Sequence, residues 1–298
     1  MTPVHVPGVD QLDDVDRAAM AAFASEYGDA PLSPVTVVIA AYNEADNIGP
    51  VLDHIPATVC GLPVSTVVVD DGSKDNTAEI ARAHGVHVVV PSTNRGQGAA
   101  LRLGYHIART HGAQIIATTD ADGQYDADEL QLIVRPILED RADFVTGSRR
   151  LGLYTTDDVV RHAGVHVFAT LMSVLARRRV TDTSNGFRAF RADIVEHLIL
   201  AQPQYQATEL LLGVFYRGFR VIEIGTSMHQ RTSGASKKGP NLVYGYRFGR
   251  VILRTWWREL RRNRREGRTM RSTPPALGPL PAPAQSSDAA PDGIRDAG

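Results

Sequence analysis

Five short runs of apolar, mostly β-branched residues recur along the first half of the chain: Val35 to Ala40, Val64 to Val69, Val86 to Val90, Ile115 to Thr119 and Phe144 to Thr146. Between them lie stretches of helical period. Runs that are apolar throughout suit strands covered on both faces, and such alternation winds into a mostly parallel sheet with helices on either side. The sequence therefore predicts a doubly wound α/β domain. Open sheets of this kind bind ligands outside the carboxyl ends of their strands, and here Gly, Asn and Asp cluster just after each run.

The remaining chain divides around that unit. Residues 1–33 read as an amphipathic extension, with Leu12, Val15, Ala19, Ala22 and Phe23 spaced for a short packing helix among acids. Residues 34–240 form the main domain. Its second half, Asp157 to Gly225, holds an apolar helical stretch from Val159 to Ala176, a polar turn from Asp182 to Arg188, and a helical stretch from Ala207 to Arg217. Residues 241–271 mix aromatics and arginines at helical spacing. Two readings of this segment stand open: an interfacial helix on an anionic membrane, or a helix packed on the domain with a solvated basic end. No nucleic-acid-binding module accompanies the arginines. Residues 272–298, rich in Pro, Ala, Ser and Asp, predict a disordered tail. One cysteine, Cys60, excludes an internal disulfide framework, and no stretch reaches the ~18 apolar residues of a membrane span. A cytoplasmic protein, soluble or peripheral on the membrane face, is expected.

The strand ends carry the chemistry. After the first run come Tyr42, Asn43 and Glu44, then Asp46 and Asn47, which can cap a helix beginning near Ile48. After the second come Asp70 and Asp71, adjacent carboxylates that are costly unless a cation, a hydroxyl or backbone amides satisfy them. After the third comes Asn94-Arg95-Gly96-Gln97-Gly98, where glycines before a helix let amides approach phosphate oxygens, though a tight turn explains the pattern as well. The fourth run ends in Asp120-Ala121-Asp122-Gly123-Gln124. Residues two apart in an extended segment face one side, and paired hard oxygen ligands suit Mg2+ or Mn2+ bridging a diphosphate. The alternative is a solvated acidic turn continuing into Asp126, Asp128 and Glu129.

Taken in order, these blocks, with Val38 to Glu44, Gly147-Ser148-Arg149 and Asp182 to Arg188, resemble family 2 glycosyltransferases across roughly Val35 to Lys238. Within the family they are similar to the polyprenyl-phosphate (dolichyl-phosphate-like) mannosyl and glucosyl synthases. The resemblance implies a GT-A-type fold, an inverting transfer from a GDP- or UDP-sugar, and a polyprenyl phosphate as acceptor. It implies that Ala40, Tyr42, Glu44 and Asp71 line the nucleoside, that Gly96 and Gly98 face phosphate, and that Asp120, Asp122 and Gln124 make the metal corner. It also implies that Arg149, Arg231 and Lys237 grip the donor diphosphate or an acceptor phosphate. Many relatives carry Lys where Gln97 stands. A hydroxyl acceptor would need a carboxylate to take its proton, and Glu209 and Asp182 are the two candidates, Glu209 being equally suited to pair an arginine. Alternatives are a same-fold transferase for a soluble or polysaccharide hydroxyl and, in another class, a non-catalytic nucleotide-sugar-binding subunit.

Overall fold

A computed structural model of the chain describes residues 12–152, 159–229 and 241–281. All five apolar runs are strands: β1 (Val35–Ala41), β3 (Leu62–Asp70), β4 (His87–Val89), β5 (Ile115–Thr118) and β6 (Phe144–Ser148), with a two-residue β2 (Thr58–Val59) before β3. Helices α2 (Ala45–Asp53), α3 (Thr77–Ala83), α4 (Gln97–Thr110) and α5 (Leu130–Leu138) fill the intervals. Strands β4, β3, β1 and β5 run parallel, each residue in register with its neighbour, as Ala40 is with Val69.

Besides the two-residue β2, two strands escape the sequence reading. β7 (Arg188–Arg191) lies antiparallel between β5 and β6, and β8 (Val221–Gly225) runs parallel to β6 at the far edge. The segment Arg-Ala-Phe-Arg hides a strand because arginines stand at both ends. Val-Ile-Glu-Ile-Gly is half-exposed along its whole length. With these, the sheet has the order β2-β3-β1-β5-β7-β6-β8, β4 pairing with β3. The mostly parallel expectation holds, with β7 as the antiparallel insertion.

Two apolar clusters sandwich the sheet. One lies beneath α2 and α5 and takes Ile39, Ile48, Ile115, Ile133 and Phe187. The other gathers Val38, Leu103, Phe144, Phe190 and Phe215 beneath α4, α6 (Val159–Ala176), α8 (Gln206–Arg217) and α9 (Asn241–Arg265). The short α7 (Ile194–His197) links β7 to the α8 side.

The two flanks are less separate than the sequence suggests. α1 (Asp14–Tyr27) sinks Phe23 into the second cluster. Its Asp16, on the same stripe as Leu12, Ala19 and Phe23, is fully buried and binds Arg95 at 2.6 Å and Arg102 at 2.9 Å. The first part of the expected disordered tail is also docked: the amide of Gly278 donates to Asp193 at 2.9 Å, Arg191 donates to the Gly278 carbonyl, and Leu277 and Leu280 pack on the two clusters. Residues 282–298 lie outside the described part. Among the described residues no helix is long and apolar enough to cross a membrane.

Candidate active site

At the end of β1 the chain turns through Asn43 in the left-handed region, φ 52°, a conformation Asn tolerates better than most residues. The turn is stitched to the end of β3. The Asn43 amide donates to Ser73 Oγ at 2.8 Å, the Lys74 amide donates to Asn43 Oδ1 at 2.7 Å, and the Glu44 amide donates to Thr77 Oγ1 at 2.9 Å. The Glu44 carboxylate accepts from Asn47 Nδ2 at 2.8 Å. α2 thus begins at Ala45, three residues before the expected start, with Glu44 and not Asp46 or Asn47 at its cap. Ala40 and Tyr42 are half-buried beside this turn.

The paired acids Asp70 and Asp71 are satisfied from within. Asp70 accepts from both the amide and the hydroxyl of Ser73, at 2.9 and 2.5 Å. Asp71 accepts from the amides of Arg95 and Gly96 at 2.9 and 2.6 Å. Burial pushes its carboxyl up, and the two amides and Arg95 only partly offset this. The expectation for the glycine amides needs correction. Asp71 turns to the glycine loop, and the Gly96 amide goes to Asp71 while the Gly98 amide donates to the Pro203 carbonyl at 2.8 Å. Neither amide is offered to a phosphate, because each is the hydrogen bond that fixes the loop. Gly96 must be glycine on two counts: φ is +92°, and a Cβ would sit 2.6 Å from the Pro203 oxygen.

Beyond β5, which stops at Thr118, Asp120 to Gln124 forms a turn and not an extended segment. Asp120 is half-exposed and accepts from Gln97 Nε2 at 3.1 Å. Asp122 is buried and accepts from the Gln124 amide at 3.2 Å. The backbone of Gly186 lies directly against Asp120, and a Cβ there would be 2.8 Å from both carboxylate oxygens. Gly186 is held in place by Tyr125, whose hydroxyl accepts from its amide at 2.9 Å, and by Thr118, which donates to its carbonyl at 2.6 Å. Gln124 is occupied in another direction: its side-chain amide donates to the His229 carbonyl at 3.0 Å, and the His229 amide returns a bond to the Gln124 carbonyl at 2.8 Å. A cleft of about 300 Å³ adjoins this turn, lined among others by Asn47, His54, Thr119, Tyr125 and His229.

Could these residues hold a divalent cation? Among the described residues no three His, Cys, Asp or Glu side chains converge, so an all-protein cage is excluded there. Two carboxylates, with room kept over Asp120 by the missing Gly186 side chain, fit an ion that retains waters and takes its other ligands from substrate phosphates, as Mg2+ does.

The second half of the domain corrects the acids and the arginine. Arg149 follows β6 and clasps Asp182 with a two-pronged pair, Nε to Oδ2 at 2.6 Å and a terminal nitrogen to Oδ1 at 2.7 Å, and it also donates to Ser184 at 2.7 Å. Burial raises the Asp182 carboxyl, but the Arg149 charge and hydrogen bonds outweigh it and the net direction is downward. Such a group is a poor proton acceptor, and Arg149 spends its charge inside the protein. Glu209 is likewise fully buried, accepting from Arg258 at 2.6 Å and from the Gln202 amide at 2.9 Å. Its structural alternative is the one realised. Arg231 and Lys237 lie outside the described residues.

Sequence reasoning missed Asp16, Tyr125, Glu223 and His229, and gave Gly186 no role beyond its place in the block Asp182 to Arg188. Glu223 accepts from the amides of Thr181 and Asp182, at 2.9 and 3.1 Å, and so sets the height of Asp182. Only Asp16 left a signal, as an acid on an otherwise apolar helical stripe.

Comparison with known proteins follows from this geometry. The profile of glycosyl transferase family 2 matches residues 36–199. The dolichyl-phosphate hexose transferase of Haloferax volcanii is 30% identical over 74% of this chain and 92% of its own length. The undecaprenyl-phosphate mannosyltransferase of Micrococcus luteus is 28% identical over 70% of this chain and 89% of its own. Among solved structures, glucosyl-3-phosphoglycerate synthase from Mycobacterium tuberculosis, in complex with Mn2+, uridine diphosphate and glucosyl-3-phosphoglycerate, superposes with a TM-score of 0.56 at 21% identity, covering 86% of each chain.

Proposed function

This chain belongs to glycosyl transferase family 2 and has the GT-A-type fold, and from that premise we propose that it moves a sugar, with inversion, from a GDP- or UDP-sugar to a polyprenyl phosphate at the cytoplasmic membrane face. The observation that carries the acceptor class is the fate of the two acids. Asp182 and Glu209 are each locked to an arginine in the interior. Neither is poised to take a proton from a hydroxyl. A phosphate monoester, with a second pKa near ~6, arrives largely ionised and needs no such base. The names of the relatives from Haloferax volcanii and Micrococcus luteus support the same acceptor class.

In this reading Tyr42 and Glu44, with Ala40 at the end of β1, line the nucleoside, the Glu44 carboxylate being oriented by Asn47. Asp120 and Asp122 hold Mg2+ or Mn2+ against the donor diphosphate. When bound, the ion neutralises charge that grows on the departing nucleoside diphosphate. Gln97 orients Asp120, Gly186 keeps its oxygens uncovered, and Gln124 ties the turn to the strand leading into Arg231 to Lys237. Those two cations grip the phosphates of donor or acceptor, where the neutralised Arg149–Asp182 pair serves as scaffold.

Radiolabelled GDP- and UDP-sugars supplied with polyprenyl phosphate and Mg2+ or Mn2+ test the proposal. Metal-dependent label in the organic phase is the expected result. Label confined to water-soluble products would sink the lipid acceptor and favour a soluble hydroxyl compound.

A further inference from the structure

Helices α6 and α9 lie side by side and run in the same direction. Phe168, midway along α6, stacks edge-on against Phe248 in the first third of α9, ring centres 4.7 Å apart, over the gap left by Gly245 and Gly249. Further along, Tyr216 reaches the Leu175 carbonyl of α6 and the Trp256 side chain of α9. The two helices thereby share one outer seam.

That seam is apolar where it meets water. On α6, Val167 is 62% exposed and Val174 68%; on α9, Tyr246 is 70%, Leu253 48% and Trp257 44% exposed. At about 3.6 residues per turn, Tyr246, Leu253 and Trp257 fall on the flank of α9 that carries Gly249 and faces α6. Arg247, Arg254, Arg258, Arg261 and Arg265 fall on the adjoining flank, Arg250 stands between, and Arg264 continues the stripe beyond Trp257. On that flank a cavity of about 560 Å³ is lined by Arg254, Trp257, Arg258, Arg261, Arg262 and Arg265, among others. The exposed Arg177, Arg178 and Arg179 close the far end of α6. α9 carries eight arginines against one acid, Glu259, and Glu259 is buried and engaged with Arg258. An exposed apolar stripe beside a flank that is positive on balance, although Arg258 and Arg262 are paired with Glu209, Glu259 and Glu266, suits an anionic bilayer surface: side chains enter the headgroup boundary while the other arginines meet phosphates.

We propose that the α6–α9 seam is a docking surface for an anionic lipid bilayer, with both helices lying in the headgroup plane. The seam is connected to the candidate site by a short chain of contacts. α9 approaches the glycine loop through Phe248. Phe248 packs on Tyr205 at 5.5 Å, and Pro203, two residues earlier, holds the Gly98 amide. Docking through this seam deepens the lipid-acceptor reading by naming the face that meets the lipid, and it is testable without any sugar donor.

The measurement is binding of the full chain to vesicles of phosphatidylglycerol and phosphatidylcholine, read by co-sedimentation, and by the emission of Trp257 in a Trp256→Phe background, Trp257 then being the sole tryptophan. Wild type is expected to bind phosphatidylglycerol vesicles with a blue shift and to release them in high salt. Arg250→Gln with Arg254→Gln is expected to weaken binding roughly thirtyfold, about fivefold per charge. Leu253→Asp with Trp257→Asp is expected to weaken it tenfold or more while leaving the circular dichroism unchanged. Absent binding by wild type, binding that ignores lipid charge, or full binding by a folded double variant overturns the proposal. So does a concentration-dependent dimer, without vesicle binding, that Leu253→Asp and Trp257→Asp dissociate, since the seam would then cover a second copy. Transfer to polyprenyl phosphate in detergent separates the two ideas: retained in a variant that no longer binds vesicles, it supports docking as a distinct function, and its absence in wild type counts against the acceptor and leaves the vesicle result standing.

Discussion

The two halves of the sheet handle buried charge in different ways. At the ends of β1, β3 and β5, carboxylates are satisfied by nearby amides, hydroxyls and amide side chains: Asp70 by Ser73, Asp71 by the glycine loop, Glu44 by Asn47, Asp122 by Gln124. On the side of β6, α8 and α9, two buried carboxylates are matched to arginines, Asp182 to Arg149 and Glu209 to Arg258, while Glu223 is held by the Thr181 and Asp182 amides. Amides and hydroxyls orient a carboxylate without neutralising it, whereas an arginine neutralises it. The contrast assigns chemistry to the first half and framework to the second.

The largest effect tests the first half. Asp122→Ala is expected to lower metal-dependent transfer by roughly a thousandfold, as losing charge stabilisation in a transition state does, with the melting temperature nearly unchanged. A collapse in melting temperature at wild-type specific activity would reverse the assignment. Glu209→Gln probes the other half. Removing one of the two carboxylates that hold Arg258, with Glu259 remaining, is expected to destabilise the fold by roughly 3 kcal/mol in urea titration, while the rate per folded molecule stays within a few-fold. An intact fold with abolished transfer would instead make Glu209 the base.

A smaller, pH-dependent effect belongs to the framework. His106 on α4 is pushed down from 6.5 to about 4, first by burial and then by the Arg102 charge. The unfolded chain takes up a proton near pH 6.5 that the folded chain refuses until about pH 4. Stability from this group is therefore complete above 6.5 and declines as pH falls toward 4, by on the order of 2–3 kcal/mol. Chemical denaturation across that window should show the slope, and His106→Gln should remove it; a slope that survives the substitution belongs to other groups. Gly186→Ala is expected to have the smallest effect. Its methyl group meets the Asp120 oxygens, and a tenfold loss of transfer with a raised metal requirement is expected. Unchanged metal dependence would show that Asp120 moves aside freely.

What the sequence disclosed follows the same division. Strands buried on both faces announced themselves, and so did polar motifs whose partners lie within a few residues. The arginine pairs did not. Arg149 and Asp182 are 33 residues apart, Glu209 and Arg258 49, Asp16 and Arg95 79, and residue types alone do not tell which distant acid an arginine will meet. β7 stayed hidden because its guanidinium ends mask two inward residues. The glycine loop was legible as a loop, but its amides were assigned to phosphate when the fold uses them on Asp71 and Pro203.

The bond from Asp16 to Arg95 gives α1 an unexpected reach. Asp13 and Asp16 hold the Arg95 guanidinium, and the backbone amides of Arg95 and Gly96 hold Asp71. A stretch that looks dispensable at the front of the chain is thus two hydrogen bonds from a strand-end carboxylate. Anyone shortening the protein to ease its expression by trimming to the family-matched segment from residue 36 would remove the clamp, and would then read the loss as a weak enzyme when the fault was a loosened loop.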